Sequence, residues 1–264
     1  MCLILFAARA HAEYPLIVAA NRDESYSRPA APAGFWDDDP RVCAGRDLQH
    51  GGTWLGLSKE GRFAAITNYR QRPRSARGEH SRGKLTRDFL TGAQLPARYV
   101  RDVEHRAAAY TGFSLIVGDL NELWFYSNRG NGPQRITDGV HGLSNHLLDE
   151  PWPKVRGGIA ALQSLLHAGE AELTQTLFRV LADRAPAPDH LLPSTGLELE
   201  RERAVSAAFI PGATYGTRAS TVVLVGADGR VVFLERRFGP EGASLGDTEL
   251  RFELGLTPPV QAQA

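Results

Sequence analysis

The chain runs to 264 residues, 42% hydrophobic and 23% charged, with 30 Lys+Arg matched by 30 Asp+Glu. That length allows one domain with a large core over 1–264, and the zero formal net charge leaves no overall field to recruit nucleic acid or an anionic membrane. Two cysteines, Cys2 and Cys43, exclude a framework of several disulfides.

In chain order, "CLILFAA" and "YPLIVAA" flank "RAHAE" and read as a β-hairpin with strands at 2–8 and 14–20, buried on both faces. The first of these strands is expected in the interior of a sheet. Arg9 breaks the run too early for a secretory signal, and no stretch approaches the roughly 18 apolar residues of a membrane span. A cytoplasmic, reducing compartment is the expectation. "TWLGLSKEGRFAAITN" is a second hairpin turning at Lys59, Glu60 and Gly61, and "FSLIVGDLNELWFYSN" a third turning between Asp119 and Asn121. "STVVLVGADGRVVFLERRF" is a fourth, turning at Asp228 and Gly229, and "TELRFEL" follows it as an edge strand. Strands joined by tight turns are antiparallel.

Three amphipathic helices are expected between the hairpins. "PARYVRDVEHRAAAY" places Val100, Val103, Ala107 and Tyr110 on one face, with Pro96 at its start. "PWPKVRGGIAALQSLLHAG" does the same with Val155, Ile159, Leu162 and Leu166, weakened by Gly157 and Gly158, and "ELTQTLFRVLAD" with Leu173, Leu177, Val180 and Leu181. The segment 70–84 carries Arg70, Arg72, Arg74, Arg77, Arg82 and Lys84 and almost nothing apolar. It reads as a mobile, solvated rim whose cations would meet a carboxylate or phosphate. The tail from 256 onward is expected to be flexible. Blocks of hairpins separated by helices give an α+β fold: two stacked antiparallel sheets with helices on their outer faces.

Cys2 raises the chemical question. If Met1 is excised, one residue carries both a thiol nucleophile and an α-amine able to accept its proton near neutral pH. The competing reading is that a small, apolar cysteine is simply packed. A catalytic cysteine needs an arginine beside it, a carboxylate to orient the amine and amide donors for an oxyanion. Candidates stand at strand ends: Asn21, Arg22 and Asp23 in "ANRDES", Asn68 in "AITNYR", Asn145 in "GLSNHLLDEPW" and Arg218 in "YGTRAST". Gly51, Gly52 and Trp54 read as architecture near the mouth of the site. The histidines form no ligand-spaced pair, so no metal is expected, and no nucleotide-binding loop is present.

"NRDE" at 21–24, "AGRDLQHGGTWLGLS" at 44–58, "TNYR" at 67–70, "GLSN" at 142–145 and "YGTRAST" at 215–221 together resemble the NRDE-motif family. This is also called the transport-and-Golgi-organisation protein 2 family, and the likeness spans nearly the whole chain. More distantly, the order Cys, Arg/Asp, Asn, Asn, Arg is similar to the cysteine branch of the N-terminal nucleophile (Ntn) hydrolases, which includes bile-salt hydrolases and penicillin V acylases. That resemblance implies a four-layer αββα sandwich. It also implies roles: Cys2 as nucleophile with its amine as base, Arg22 and Asp23 flanking it, Asn68 and Asn145 making oxyanion and amine-positioning contacts, and Arg218 as a second arginine. In those hydrolases two residues separate the arginine from the aspartate, whereas Arg22 and Asp23 are adjacent. Alternation along a strand would turn one of them away unless the strand has ended. The implied activity is hydrolysis of a non-peptide C–N bond through a Cys2 thioester, without a cofactor, on a small-molecule amide or hydrophobic acyl compound. A second reading, implied by family links to haem mobilisation and acyl-CoA or lipid metabolism, is a carrier of haem or of an acyl ligand in the same pocket. The oligomeric state is left open.

Overall fold

Every residue of strand β1 (Leu3–Ala8) is buried, and alternation divides it between two apolar clusters. Leu3, Leu5 and Ala7 join one, Ile4, Phe6 and Ala8 the other. A strand with two apolar faces belongs between layers. The computed structural model, which describes residues 2–70 and 78–255, places it there. β1 turns back into β2 (Leu16–Ser25), its antiparallel partner.

The chain then leaves this first sheet and builds a second. β3 (Ala30–Phe35), β4 (Val42–Asp47), β5 (Leu55–Ser58) and β6 (Phe63–Asn68) are followed by helices α1 (Gly83–Thr91) and α2 (Pro96–His105). β7 (Phe113–Gly118), β8 (Leu123–Ser127) and β9 (Gln134–Ile136) complete it. These strands stand in sequence order, each antiparallel to the next. The remainder returns to the first sheet through β10 (Gly139–Leu143), α3 (Pro153–Gln163), α4 (Glu170–Leu181), α5 (Leu199–Ser206), β11 (Tyr215–Val225), β12 (Arg230–Phe238) and β13 (Ser244–Glu253). Its order is β10-β1-β2-β11-β12-β13, so β1 is internal and β13 is the edge.

Three cores hold four layers together. Phe6 and Val18 meet Leu57, Phe63 and Ile116 between the two sheets. Leu5 and Ile17 pack outward against Val155 and Leu162 of α3 and Leu173 and Leu177 of α4. On the far side Ala64 and Ile66 pack against Leu85 and Phe89 of α1 and Val100 and Val103 of α2. This is the expected αββα sandwich. Phe6, Phe63 and Phe233 are fully buried, each worth about 2–3 kcal/mol of transfer free energy.

Several details depart from the sequence reading. β2 continues through the NRDE segment to Ser25 instead of stopping at 20. α2 ends at His105 and is followed by a short 3₁₀ turn at Ala107–Ala109. Gly158 is not a weak point in α3: a Cβ there would stand 2.5 Å from Leu5 Cδ1, so the glycine lets the helix lie directly on β1. The segment read as a rim loop is also different at both ends, because Arg70 is buried and α1 begins at Gly83. Arg72, Arg74 and Arg77, like the tail from 256, lie outside the described residues.

Candidate functional site

The first sheet brings three distant segments to one end of β1. The pairing of Leu3 with Asn21 sets Cys2 level with Arg22. β2 does not end there, so Arg22 and Asp23 do point to opposite faces, as alternation requires. Arg22 shares the inter-sheet face with Leu16, Val18 and Ala20, and its guanidinium lies 4.2 Å from the centre of the Trp54 ring. Asp23 faces the helical layer, where Oδ1 accepts a 2.6 Å hydrogen bond from Thr217 Oγ1. Both side chains are nonetheless buried, and both act on Cys2. Arg22 does so by its charge, Asp23 by its carboxylate charge and a main-chain N–H that donates to the thiol.

Asn145 holds Cys2 from the other side. Its Oδ1 accepts from the Cys2 main-chain nitrogen at 2.8 Å, its Nδ2 donates to Asn68 O at 2.9 Å, and its own carbonyl accepts from Arg70 N at 2.7 Å. Ser144 Oγ donates to Cys2 O at 2.9 Å, so the Cys2 backbone is gripped at both its nitrogen and its carbonyl. Asn145 adopts φ +56° and is buried. A left-handed non-glycine residue costs about 1–3 kcal/mol, and these three hydrogen bonds hold it there.

Cys2, Arg22, Asp23 and Asn145 thus converge. Asn68 meets them only through its carbonyl, and its side chain is exposed. Arg218 stands one strand further along the same sheet, on β11. It is the extra residue of a bulge, where β11 passes from Thr217 opposite Asp23 to Ala219 opposite Arg22. Its guanidinium donates to the carbonyls of Ser25, at 3.1 Å, and Arg28, while its charge bears on Arg22.

Burial pushes the Cys2 thiol above its ordinary pKa; the amino-terminal charge opposes this most, the Asp23 carboxylate adds to it, and the Asp23 N–H and Arg22 oppose it further without reversing it. The thiol is therefore not a preformed thiolate at neutral pH. Burial likewise raises the Asp23 carboxyl, against the pull of Lys154, the Thr217 hydroxyl and Arg70. Cys43 is fully enclosed between the sheets and pushed up to about 12, which leaves it inert. Among the described residues, no group of three or more His, Cys, Asp and Glu is placed to hold a metal ion.

The sequence reading missed Lys154 and Glu202, and it put Arg70 on a solvated rim where the structure buries it. Lys154 is buried in the first turn of α3, its Nζ donating to Val205 O at 3.0 Å and Ala207 O at 3.3 Å. Burial takes its pKa down from 10.5 to about 8, with Asp23 pulling it back up and Arg70 adding to the depression. At Lys154 the unfolded chain therefore binds more protons between pH 8 and 10.5, so this group's contribution to stability rises with pH across that window. Relative to Lys154→Met, denaturant unfolding of the native chain should gain up to about 3 kcal/mol from pH 8 to pH 10.5. Parallel curves for the two proteins would contradict this. Arg70 forms a 2.8 Å ion pair with Glu202 of α5, and both side chains are 5% exposed. No local pattern announces that pair, since its members are separated by 132 positions.

A family described as Transport and Golgi organisation 2 matches residues 1–240 of the chain. The Transport and Golgi organization protein 2 homolog of Bos taurus is 38% identical over 273 residues, covering 96% of this chain and 96% of its own length. The Homo sapiens homolog is 37% identical over 258 residues, covering 89% of this chain and 92% of its own. Among solved structures, the conjugated bile acid hydrolase from Clostridium perfringens, in a cysteine-to-alanine mutant, is similar with a TM-score of 0.52. The match covers 96% of this chain and 92% of that one at 8% identity, and at that identity it is a likeness of fold: the Ntn-hydrolase-like arrangement of two antiparallel sheets between helices.

Proposed function

This chain belongs to the Transport and Golgi organisation 2 family, and from the geometry around Cys2 we propose that it is a cysteine-dependent N-terminal nucleophile amidohydrolase. It would cut a non-peptide C–N bond in a small acyl amide through a thioester on Cys2, once Met1 is removed. One observation carries the reading. A buried Asn145 in the left-handed region, its Nδ2 anchored on the Asn68 carbonyl, holds the Cys2 nitrogen on its Oδ1 at 2.8 Å. Packing a small apolar residue requires no such clamp.

The roles follow from that geometry. After Met1 is removed, the nitrogen held by Asn145 is the α-amine. A protonated thiol needs a base to take its proton during attack, and the amine is built into the same residue. The sulfur bonds to the carbonyl carbon while the thiol proton passes to the amine. Collapse of the tetrahedral oxyanion breaks the C–N bond, and the ammonium returns that proton to the departing nitrogen. Water then gives a proton to the amine as its oxygen attacks the thioester; the C–S bond breaks and the thiol is restored. Asn145 Nδ2 is already bonded to the Asn68 carbonyl, so we assign Asn145 to positioning the amine. The oxyanion falls to the exposed Asn68 amide. Arg22, Asp23 and Arg218 complete the candidate set, Arg22 by favouring the developing thiolate and Arg218 by fixing the bulge behind it.

Intact-mass analysis tests this directly. The purified protein should lack Met1, and incubation with a panel of chromogenic acyl anilides should add one acyl mass that maps to Cys2. Retained Met1 removes the free amine and defeats the mechanism. A free Cys2 that acquires no acyl group across the panel would turn the reading towards a carrier.

A further inference from the structure

Asn145 sits in a loop that the chain closes on itself. The Asp149 N–H donates to Gly142 O at 2.8 Å, and Asp149 Oδ1 accepts from Gly142 N at 2.8 Å. Asn145, at φ +56°, and Asp149, at φ +58°, both lie in the left-handed region. Such conformations persist only where the surroundings over-determine them, so a loop holding two of them needs a brace beyond its own backbone. The Asp149 carboxylate supplies one end of it, with Oδ2 2.7 Å from His141 Nδ1.

His141 supplies the other end. It is buried, its ring stacked on Phe6 of β1 with the centres 5.3 Å apart, and its Nε2 lies 3.0 Å from the Thr137 carbonyl. A neutral imidazole has one N–H and donates to only one of these two oxygens; the imidazolium donates to both. Burial by itself would lower the His141 pKa, but the hydrogen bond and charge of Asp149, with the Thr137 carbonyl, carry it above its ordinary value. Phe6 brings no charge from β1. Close by in the chain, Asp138 is paired with Arg9 at 2.6 Å and Glu150 with His146 at 3.0 Å, so the charge that bears on His141 is that of Asp149.

We propose that His141 and Asp149 are a positioning pair for the site: the His141 imidazolium ties the loop to β10, and the loop so fixed presents Asn145 to the Cys2 nitrogen and supports turnover. The clause on turnover rests on the hydrolase reading; the brace does not. The two residues act through the loop, whose Asn145 makes the contact with Cys2. Raising the pH removes the imidazolium proton and with it one of the two hydrogen bonds. The brace is therefore complete below the His141 titration and lost above it. Because Asn145 holds the amine that moves the proton, the loss should fall on kcat more than on KM.

Nuclear magnetic resonance of the full chain with isotope-labelled histidine, His141 being assigned by its loss in His141→Gln, should find it titrating above the ordinary 6.5. Amide exchange at Arg70, whose N–H donates to the Asn145 carbonyl, reads the loop. Corrected for the intrinsic pH dependence of exchange, its protection should fall about tenfold as pH rises through that titration, the worth of a hydrogen bond to a charged group. The kcat for an acyl anilide should fall with it at steady KM. Asp149→Asn keeps an acceptor for Gly142 N and removes the charge, so the His141 titration, the protection step and the fall in kcat should move to lower pH together, while His146 stays with Glu150. A merely structural role would lower protection equally at every pH. Should that variant fail to fold, His141→Gln, which cannot titrate, should show low protection and no step. His141 titrating at or below 6.5, or protection that ignores its titration, overturns the pair. If protection follows His141 and no amide acylates Cys2, the brace stands and the hydrolase reading falls. If Cys2 acylates and kcat ignores the His141 titration, the clause on turnover falls alone.

Discussion

Cys2→Ala should lower turnover of an acyl amide by about 10⁴-fold or more, the range seen when a covalent nucleophile is removed, and should abolish the acyl adduct. The fold should hardly notice. Cys2 is half-buried at the start of β1, and alanine preserves both backbone contacts that fix the residue, to Asn145 Oδ1 and from Ser144 Oγ. The thermal midpoint should therefore stay within the shift expected for about 1 kcal/mol, and a substrate should still bind. This combination separates chemistry from architecture, which Asn145→Ala cannot do. That change strips the Cys2 nitrogen and the Asn68 carbonyl of their side-chain partner and removes the residue type that tolerates φ +56°. Steady-state kinetics beside a melting curve makes the distinction. Turnover surviving in Cys2→Ala would place the chemistry elsewhere.

The largest loss of stability is expected for Glu202→Leu. Its partner Arg70 is enclosed and already has two donors without protein partners, so removing the carboxylate leaves a charge with no compensation. Breaking one side of a buried pair costs about 3–5 kcal/mol, or roughly 10 °C in the midpoint for a chain of this size. The Thr195 N–H, 3.1 Å from Glu202 Oε1, loses its acceptor as well. Replacing both members, with Arg70→Met and Glu202→Leu, should recover most of that loss, since an apolar pair of similar volume removes the desolvation cost altogether. Chemical denaturation of the two variants side by side gives the answer. A single variant as stable as the native chain would show that the pair is solvated.

The hairpins were legible because their information is local. Leu3–Ala8 is apolar at every position, Gly61 at φ +76° and Gly229 at φ +84° sit in the turns where the sequence puts them, and β13 is the edge it reads as. β3 and β4 were not read as strands, because "AAPAGF" and "VCAGRD" offer neither alternation nor a run of β-branched residues. α5 escaped because "LERERAVS" carries more charge than apolar surface, and what buries its Glu202 is an arginine in another part of the chain. The same reason hid Lys154. A lysine between Pro153 and Val155 reads as a solvated side chain until the fold puts Asp23 and two carbonyls around it. Cys2, Arg22, Asp23 and Asn145 were visible as residue types at strand ends. The Asn68 carbonyl that holds Asn145 and the bulge that carries Arg218 were not, because neither a main-chain contact nor a bulge has a sequence signature.

The order of strands around β1 also sets a schedule for biosynthesis. A nascent chain can close the β1–β2 hairpin as soon as both strands emerge. The other edge of β1 then waits for β10, and that of β2 for β11, while the entire second sheet is made in between. Cys2 acquires Asn145 at the first of these closures, and Asp23 acquires Thr217 at the second. The residue translated second is thus among the last to acquire its native contacts. Until then two long apolar strands present unpaired edges, the arrangement most open to mispairing with other chains. Folding dominated by such distant pairings is slow, so the yield of native protein will depend on how well those edges are protected during translation.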